Sequence, residues 1–242
     1  MRADIGSYTV CSPTKGSELP DSRITLPAGR RRGVTAEELR RHNLSAVLDR
    51  LHVAGASSRS ELADQTGLNR STIRDLLGEL VDLGLAIEDS GTTRAGPGRP
   101  SLVARPRAAG AIVLAVELEV ESMTVATLGL GGHIFGRTRV ERSRGSTTPE
   151  EVVADLAQMS GPMLDSLPKG SNLVGMGIAV AGVVRRHDGF VHLAPNLGWE
   201  NVPLGDLVST RLGLNVMMAN EADLGALAEH RRGAARGERS LI

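Results

Sequence analysis

The sequence contains a single cysteine, Cys11, in 242 residues. One thiol cannot close a disulfide within the chain. With no second thiol for a CxxC pair, a structural zinc site is not expected, and the usage fits a reducing compartment. No apolar run reaches the roughly eighteen residues needed to span a bilayer, and no basic-then-apolar leader opens the chain. Neither membrane insertion nor export is therefore expected, and the cytoplasm is the expected location. Lysine is almost missing: Lys15 and Lys169 are the exceptions in a cationic set that is otherwise arginine. Arginine suits planar contacts to phosphate and guanine, although a GC-rich genome produces the same bias.

Hydrophobic residues make up 40% of the chain, enough to build cores, so a fully disordered protein is not expected. The net charge of zero conceals an asymmetry. Residues 1–107 carry 16 Lys+Arg against 13 Asp+Glu, a net of +3, and the remainder carries 12 against 15, a net of −3. A basic N-terminal part beside an acidic C-terminal part hints that the first meets a polyanion.

Residues 1–33 are rich in Ser, Pro, Gly and Arg without apolar periodicity and read as a flexible arm ending in Arg30, Arg31 and Arg32. Such an arm serves equally as a DNA-phosphate contact or a solvated tail. From Thr35 the pattern turns helical, with Leu44, Val47, Leu48 and Leu51 on one face and Gly55 as the stop. Ser58 and Glu61 have capping-box spacing for a short second helix, and Gly67 suits a left-handed turn. Asn69 caps a third helix whose Ile73, Leu76, Leu77, Leu80 and Val81 form the expected buried stripe.

Arg70, Ser71, Thr72 and Arg74 lie in the first turns of that helix, beside the stripe, where a recognition helix presents side chains to base edges and phosphates. A three-helix bundle with a solvated Arg-Ser-Thr face has the same pattern. The segment after the helix distinguishes the two: residues 84–88 leave the helix for a strand, and Gly96-Pro97-Gly98-Arg99-Pro100 forms a loop before a second strand at 102–104. Helix, capped helix, tight turn, helix and basic-tipped hairpin in that order make a winged helix-turn-helix over residues 34–107. Arg94 and Arg99 of the wing are candidates for phosphate or minor-groove contacts.

Residues 108–242 read as strands at 112–117, 123–128 and 133–140, with a turn at Gly131-Gly132, then a helix capped by Thr148 with Pro149 in its first turn. A strand at 173–180, a hairpin at Asp188-Gly189, a helix at 203–212, a strand at 214–218 and a helix at 222–232 complete an α/β lobe. The fold class is therefore α+β and multidomain.

The run from Ser58 to Ile73, followed by Gly98-Arg99-Pro100, resembles the DNA-binding domain of the ROK family, and the likeness continues to Ile242. That family groups sugar-responsive repressors with sugar kinases, so the resemblance implies an actin-like, sugar-kinase-like lobe after the winged helix. Where ROK kinases carry Asp-x-Gly-Gly-Thr to approach ATP phosphate, this chain has Glu117-Leu118-Glu119-Val120-Glu121, expected as three carboxylates on one strand face. These carboxylates would repel a triphosphate, although such a strand edge also simply faces solvent. Where the family places a catalytic Asp in Asn-Asp-Ala-Asn, the chain has Asn220-Glu221-Ala222-Asp223. Both departures argue against an enzyme.

Asn196, Asn220 and Glu221 match segments that contact sugar hydroxyls in the family, although Asn196 after Pro195 is also an ordinary turn former. The resemblance implies double-stranded operator DNA and a sugar effector as partners, with a homodimer for a full-length relative and no membrane. It implies no cofactor in this chain, because the family's zinc site would fall beyond Ile242, where the likeness enters a second lobe. The expected function is a repressor of carbohydrate-metabolism genes. The alternatives are a sugar kinase with an added N-terminal domain and a DNA-binding protein whose sensor lobe binds nothing.

Overall fold

Side-chain caps define the helices of the N-terminal domain. A computed structural model describes residues 35–90, 102–142 and 148–238 of the chain. The proposed arm at 1–33 and the wing-tip arginines, Arg94 and Arg99, lie outside the described residues. Helix α1 (Ala36–Ala54) stops at Gly55, whose φ of 79° is costly for any residue with a Cβ. A two-residue strand β1 (Ser57–Ser58) precedes α2 (Arg59–Thr66). Ser58 Oγ accepts from the Glu61 N–H at 3.2 Å and the Glu61 carboxylate accepts from the Ser58 N–H at 2.7 Å, closing the predicted capping box. Gly67 ends α2 in the left-handed region, and Asn69 caps α3 (Arg70–Asp82) by accepting from the Thr72 N–H at 2.8 Å.

Strands β2 (Ala86–Ser90) and β3 (Leu102–Pro106) form the wing hairpin, and β3 also pairs with β1, giving the order β1-β3-β2. Beneath them Val47, Leu51, Leu62, Ile73, Leu76, Leu77 and Leu80 are buried with Ala86 and Ala104. Leu44 and Leu48 pack against this core half-buried. Val81 departs from the expected stripe and is 38% exposed. At about 100° per residue it sits roughly 80° around the helix from Ile73, on the flank of the face centred on Ile73, Leu77 and Leu80.

In the second domain a 3₁₀ turn at Ala108–Gly110 leads into β4 (Ile112–Leu118), β5 (Ser122–Gly129) and β6 (Ile134–Glu141), an antiparallel meander. Helix α4 (Pro149–Asp165) starts from a second capping box, Thr148 with Glu151, and carries the chain to β7 (Leu173–Val180). A small sheet comes next, made of β8 (Val183–Arg185), β9 (Phe190–Ala194) and β10 (Trp199–Val202). Helix α5 (Leu204–Leu212), strand β11 (Val216–Asn220) and helix α6 (Glu221–Arg232) complete the described lobe.

The main sheet has the order β11-β7-β4-β5-β6, with β7 parallel to both β4 and β11. Along β4 every second side chain is buried. Leu114, Val116 and Leu118 meet Val152 and Leu156 of α4, Val208 of α5, and Ile178 of β7 in one core.

Two further expectations shift. The last strand begins at Val216 rather than 214, because left-handed Gly213 caps α5 and the Asn215 carbonyl is the first group to bond β7, accepting from the Met176 N–H at 2.9 Å. The acidic segment is also no single strand face. β4 ends at Leu118, so only Glu117 is on the strand, while Glu119 and Glu121 lie in the turn to β5. The turn forms because the Glu119 N–H donates to the Ser122 carbonyl at 3.0 Å and the Ser122 hydroxyl donates to the Glu119 carboxylate.

Burial separates the helices by what they contribute. Leu77→Ala should lower unfolding stability by about 2–5 kcal/mol, as expected for a large-to-small change in a closed core. Leu227→Ala, at a position 45% exposed on α6, should stay within about 0.5 kcal/mol of wild type. Chemical denaturation of both variants checks the contrast.

Candidate nucleic-acid interface and effector site

The N-terminal turn of α3 has a fixed shape and an open outer surface. Asn69 Oδ1 serves as the cap and also accepts from the Ser71 hydroxyl at 2.7 Å. Arg70, Ser71 and Arg74 are exposed and Thr72 is half-buried, so all four predicted residues lie together on the first two turns. No acidic residue occupies the first turn of α3, which leaves the positive end of the helix dipole available to an anion. Arg74 is paired with Asp75 at 2.9 Å, both side chains more than half exposed, and such a pair exchanges readily for phosphate.

The scaffold behind α3 is held by ion pairs that have no signature in the sequence. Arg59 at the start of α2 donates to both carboxylate oxygens of Glu88 on β2, at 2.8 and 2.5 Å, a bidentate contact that raises the arginine pKa. Arg40 of α1 holds Glu79 of α3 at 2.6 Å. Across the wing Arg105 meets Asp89 at 2.5 Å, and β2 and β3 pair from Ala86↔Pro106 to Ser90↔Leu102, while Arg94 and Arg99 lie outside the described residues.

The second candidate site lies where β7 and β11 end. Asn220 Oδ1 caps α6 by accepting from the N–H groups of Ala222 and Asp223 at 2.8 and 3.4 Å, and its Nδ2 donates to the Gly182 carbonyl at 2.9 Å. Gly182 in turn lies against the end of β9. A Cβ at this position would sit 2.5 Å from the Leu193 carbonyl oxygen and 3.0 Å from the Ala194 Cβ, so only glycine fits. Asn220 is thereby linked through Gly182 to the segment that continues into the 3₁₀ turn Pro195–Leu197, where Asn196 is exposed. Glu221 is exposed at the first position of α6.

The nearby β8–β9 hairpin is clamped at its tip. Arg185 forks onto Asp188 at 2.5–2.9 Å and lies 4.8 Å over the Phe190 ring. Hydrogen bonding from Arg185 holds the Asp188 carboxyl at a pKa of about 2, with help from the Phe190 N–H. A depressed carboxyl pKa means that the pairing is complete above the ordinary carboxylate range and is lost only as pH falls toward 2.

The acidic turn between β4 and β5 presents backbone of a different kind from a phosphate cradle. No glycine lies between Glu117 and Ser122, so every residue of the turn carries a side chain. Arg139 of β6 pairs with Glu119 at 3.2 Å. Among the described residues no group of three or more His, Cys, Asp or Glu side chains is arranged to hold a metal ion.

Replacing Asn220 separates its two jobs. Asn220→Ala loses the α6 cap and leaves the Gly182 carbonyl without its donor, for a combined loss of about 2 kcal/mol. Asn220→Asp keeps the cap and loses only the donor, so its thermal midpoint should fall between those of wild type and Asn220→Ala.

The match to known proteins divides the chain in the same way. Residues 113–242 match the ROK family model and residues 43–90 match the IclR helix-turn-helix domain. The xylose repressor of Caldicellulosiruptor bescii is 30% identical over 174 residues, covering 71% of this chain and 43% of the repressor. The xylose repressor of Bacillus subtilis is 26% identical over 186 residues, covering 76% and 47%. A glucokinase of Streptomyces coelicolor is 35% identical over 96 residues, 40% of this chain and 29% of the kinase. In structure, a ROK family transcriptional regulator described as a homologue of the E. coli MLC protein superposes with a TM-score of 0.60 at 24% identity, covering 79% of this chain and 48% of that one. The chain spans about half the length of the repressors it matches. The α2–turn–α3 unit with its wing hairpin, followed by the five-stranded lobe, places this chain in the ROK family with a helix-turn-helix domain at its N-terminal side.

Proposed function

We propose that this chain is a sequence-specific DNA-binding transcriptional regulator, a repressor of carbohydrate-metabolism genes whose sensor lobe answers to a sugar or sugar derivative. The observation that carries the reading is the exposed Arg70-Ser71-Thr72 turn at the start of α3, set on a winged helix and joined in one chain to a ROK lobe. Such a turn enters the major groove with its N-terminal residues toward the bases, while the wing and its arginines lie along the backbone. Arg70 and Arg74 have the bidentate geometry that guanine and phosphate reward. Two half-sites engaged by a homodimer would add affinity through effective concentration. Among the described residues no helix is long and apolar enough to cross a membrane. The cytoplasm, where its DNA lies, is the proposed location.

In this reading Asn196 and Glu221 supply the polar contacts to sugar hydroxyls, while Asn220, engaged by the cap and Gly182, positions them. The glucokinase likeness favours a second reading, that of a kinase. Two features weigh against catalysis: the glycine-free Glu117–Glu121 turn, and Glu221 standing where ROK kinases carry an aspartate base. The added methylene displaces a proton acceptor whose reach to a hydroxyl must be held closely.

Two measurements test this reading. In a gel-shift assay on an operator selected from genomic DNA, Arg70→Ala with Arg74→Ala should weaken binding by about 1–3 kcal/mol per base-reading arginine and relax sequence preference. Unchanged binding would remove α3 as the reading element. In a coupled ADP-release assay, glucose, xylose and N-acetyl sugars should give no ATP turnover, and turnover abolished by Glu221→Gln would restore the kinase reading.

A further inference from the structure

Helix α6 is tied by hydrogen bonds and an ion pair at its two ends. None of its twelve residues is buried. Its N-terminal end is tied to the lobe through the Asn220 hydrogen bond to Gly182. Its C-terminal end reaches into the DNA-binding domain, more than 175 residues earlier in the chain. Arg231 Nη1 pairs with Asp49 of α1 at 3.1 Å. Arg232 donates through Nη2 to the His52 carbonyl at 2.6 Å and through Nη1 to the Gly131 carbonyl at 3.1 Å. His52 Nδ1 accepts from the Gly131 N–H at 3.1 Å.

Three elements therefore meet at one point: the end of α1, the end of α6, and the 3₁₀ turn Leu130–Gly132 between β5 and β6. Both backbone groups of Gly131 are used, one by each partner, and Arg232 bridges the two domains. The glycines are required by this geometry. Gly131 has φ 76° and a Cβ on it would sit 3.0 Å from Pro106 Cγ, while a Cβ on Gly132 would overlap the Arg232 guanidinium. A hydrogen bond accepted at Nδ1 exists only while that nitrogen is unprotonated.

We propose that this junction is a proton-sensitive interdomain clamp, in which neutral His52 and Arg232 hold the winged helix at a fixed orientation on the sensor lobe and protonation of His52 releases it. The clamp stands independently of whether the lobe binds a sugar. The charged groups facing the imidazole are Asp49 on its own helix and Arg231 and Arg232 on α6, while the 3₁₀ turn presents backbone groups. The next titratable residue along that turn, His133, is stacked edge-on against Phe135 at 4.6 Å between centroids. Burial lowers the His52 pKa below its ordinary value, and the Arg232 charge lowers it further, against the opposing pull of Asp49. A lowered histidine pKa means that the neutral imidazole, and with it the clamp, is fully present above the ordinary value and is lost as pH falls through the lowered one.

The test is a spin-label distance measurement across the junction in the full chain, with Cys11→Ser as background and labels at Ser45→Cys on α1 and Gln158→Cys on α4, both exposed positions. At about pH 7.5, above the ordinary histidine value, the unaltered junction should give one narrow distance distribution, and in a series down to about pH 4.5 it should broaden. His52→Gln, which keeps an acceptor oxygen but takes up no proton, should remain narrow throughout. Arg232→Ala should be broad already at the upper end of the series, with a denaturation midpoint close to wild type because its side chain is on the surface. A narrow distribution in Arg232→Ala at that pH would overturn the clamp. Broadening of His52→Gln in parallel with wild type would overturn its control by His52.

Discussion

The parallel pairing of β7 with β4 on one side and β11 on the other is the constraint on which the rest of the lobe depends. In this register Val180 lies opposite both Leu118 and Asn220, so three strands reach their carboxyl ends at one level. The acidic turn after β4, Gly182 after β7 and the Asn220 cap after β11 are gathered there. Open α/β sheets bind ligands in the crevice beyond the carboxyl ends of their parallel strands, because loops diverge there and helix N-termini point in. The position of the candidate effector site is thus a consequence of topology. Its chemistry depends on which side chains the three loops carry.

Different forces hold each domain together and tie α6 to the winged helix. Apolar burial fixes the sheet, α4 and α5, and the winged helix has its own closed core of Val47, Leu51, Leu62 and the α3 stripe. Between these cores the connection at α6 is polar: a guanidinium on two carbonyls, one imidazole and one exposed ion pair. Hydrogen bonds of this kind contribute about 1 kcal/mol each, and a surface ion pair contributes less. The domains are accordingly far more stable internally than this contact is, so it can open while both cores stay folded.

Much of this is legible in the sequence because it is local. Capping boxes at Ser58 and Thr148, the Asn69 cap and Gly67 act within four residues, and the alternation along β4 reports its own burial. Periodicity misplaces Val81 because a stripe has an edge that residue type alone does not mark. Strand β10 escapes the same reading, since Trp199–Val202 is short and its pairing with β9 depends on the turn at Gly198. The carboxylates at 117, 119 and 121 alternate as a strand would, yet the hydrogen bonds of the turn end β4 at Leu118. Asn220 is legible as a polar residue in a family motif but not as a cap with a second bond to Gly182. His52, Arg231 and Arg232 carry no sequence signal, because nothing periodic relates residues so far apart.

The regulatory role proposed for this chain depends on α3 reading DNA sequence. Selection of duplexes from a random pool with the unaltered chain, repeated with Ser71→Ala together with Arg70→Ala, tests this directly. The unaltered chain should enrich one motif over successive rounds, and the variant should enrich none or a relaxed form of it. A pool that stays at its input composition with the unaltered chain, or an identical motif from both, would contradict that role.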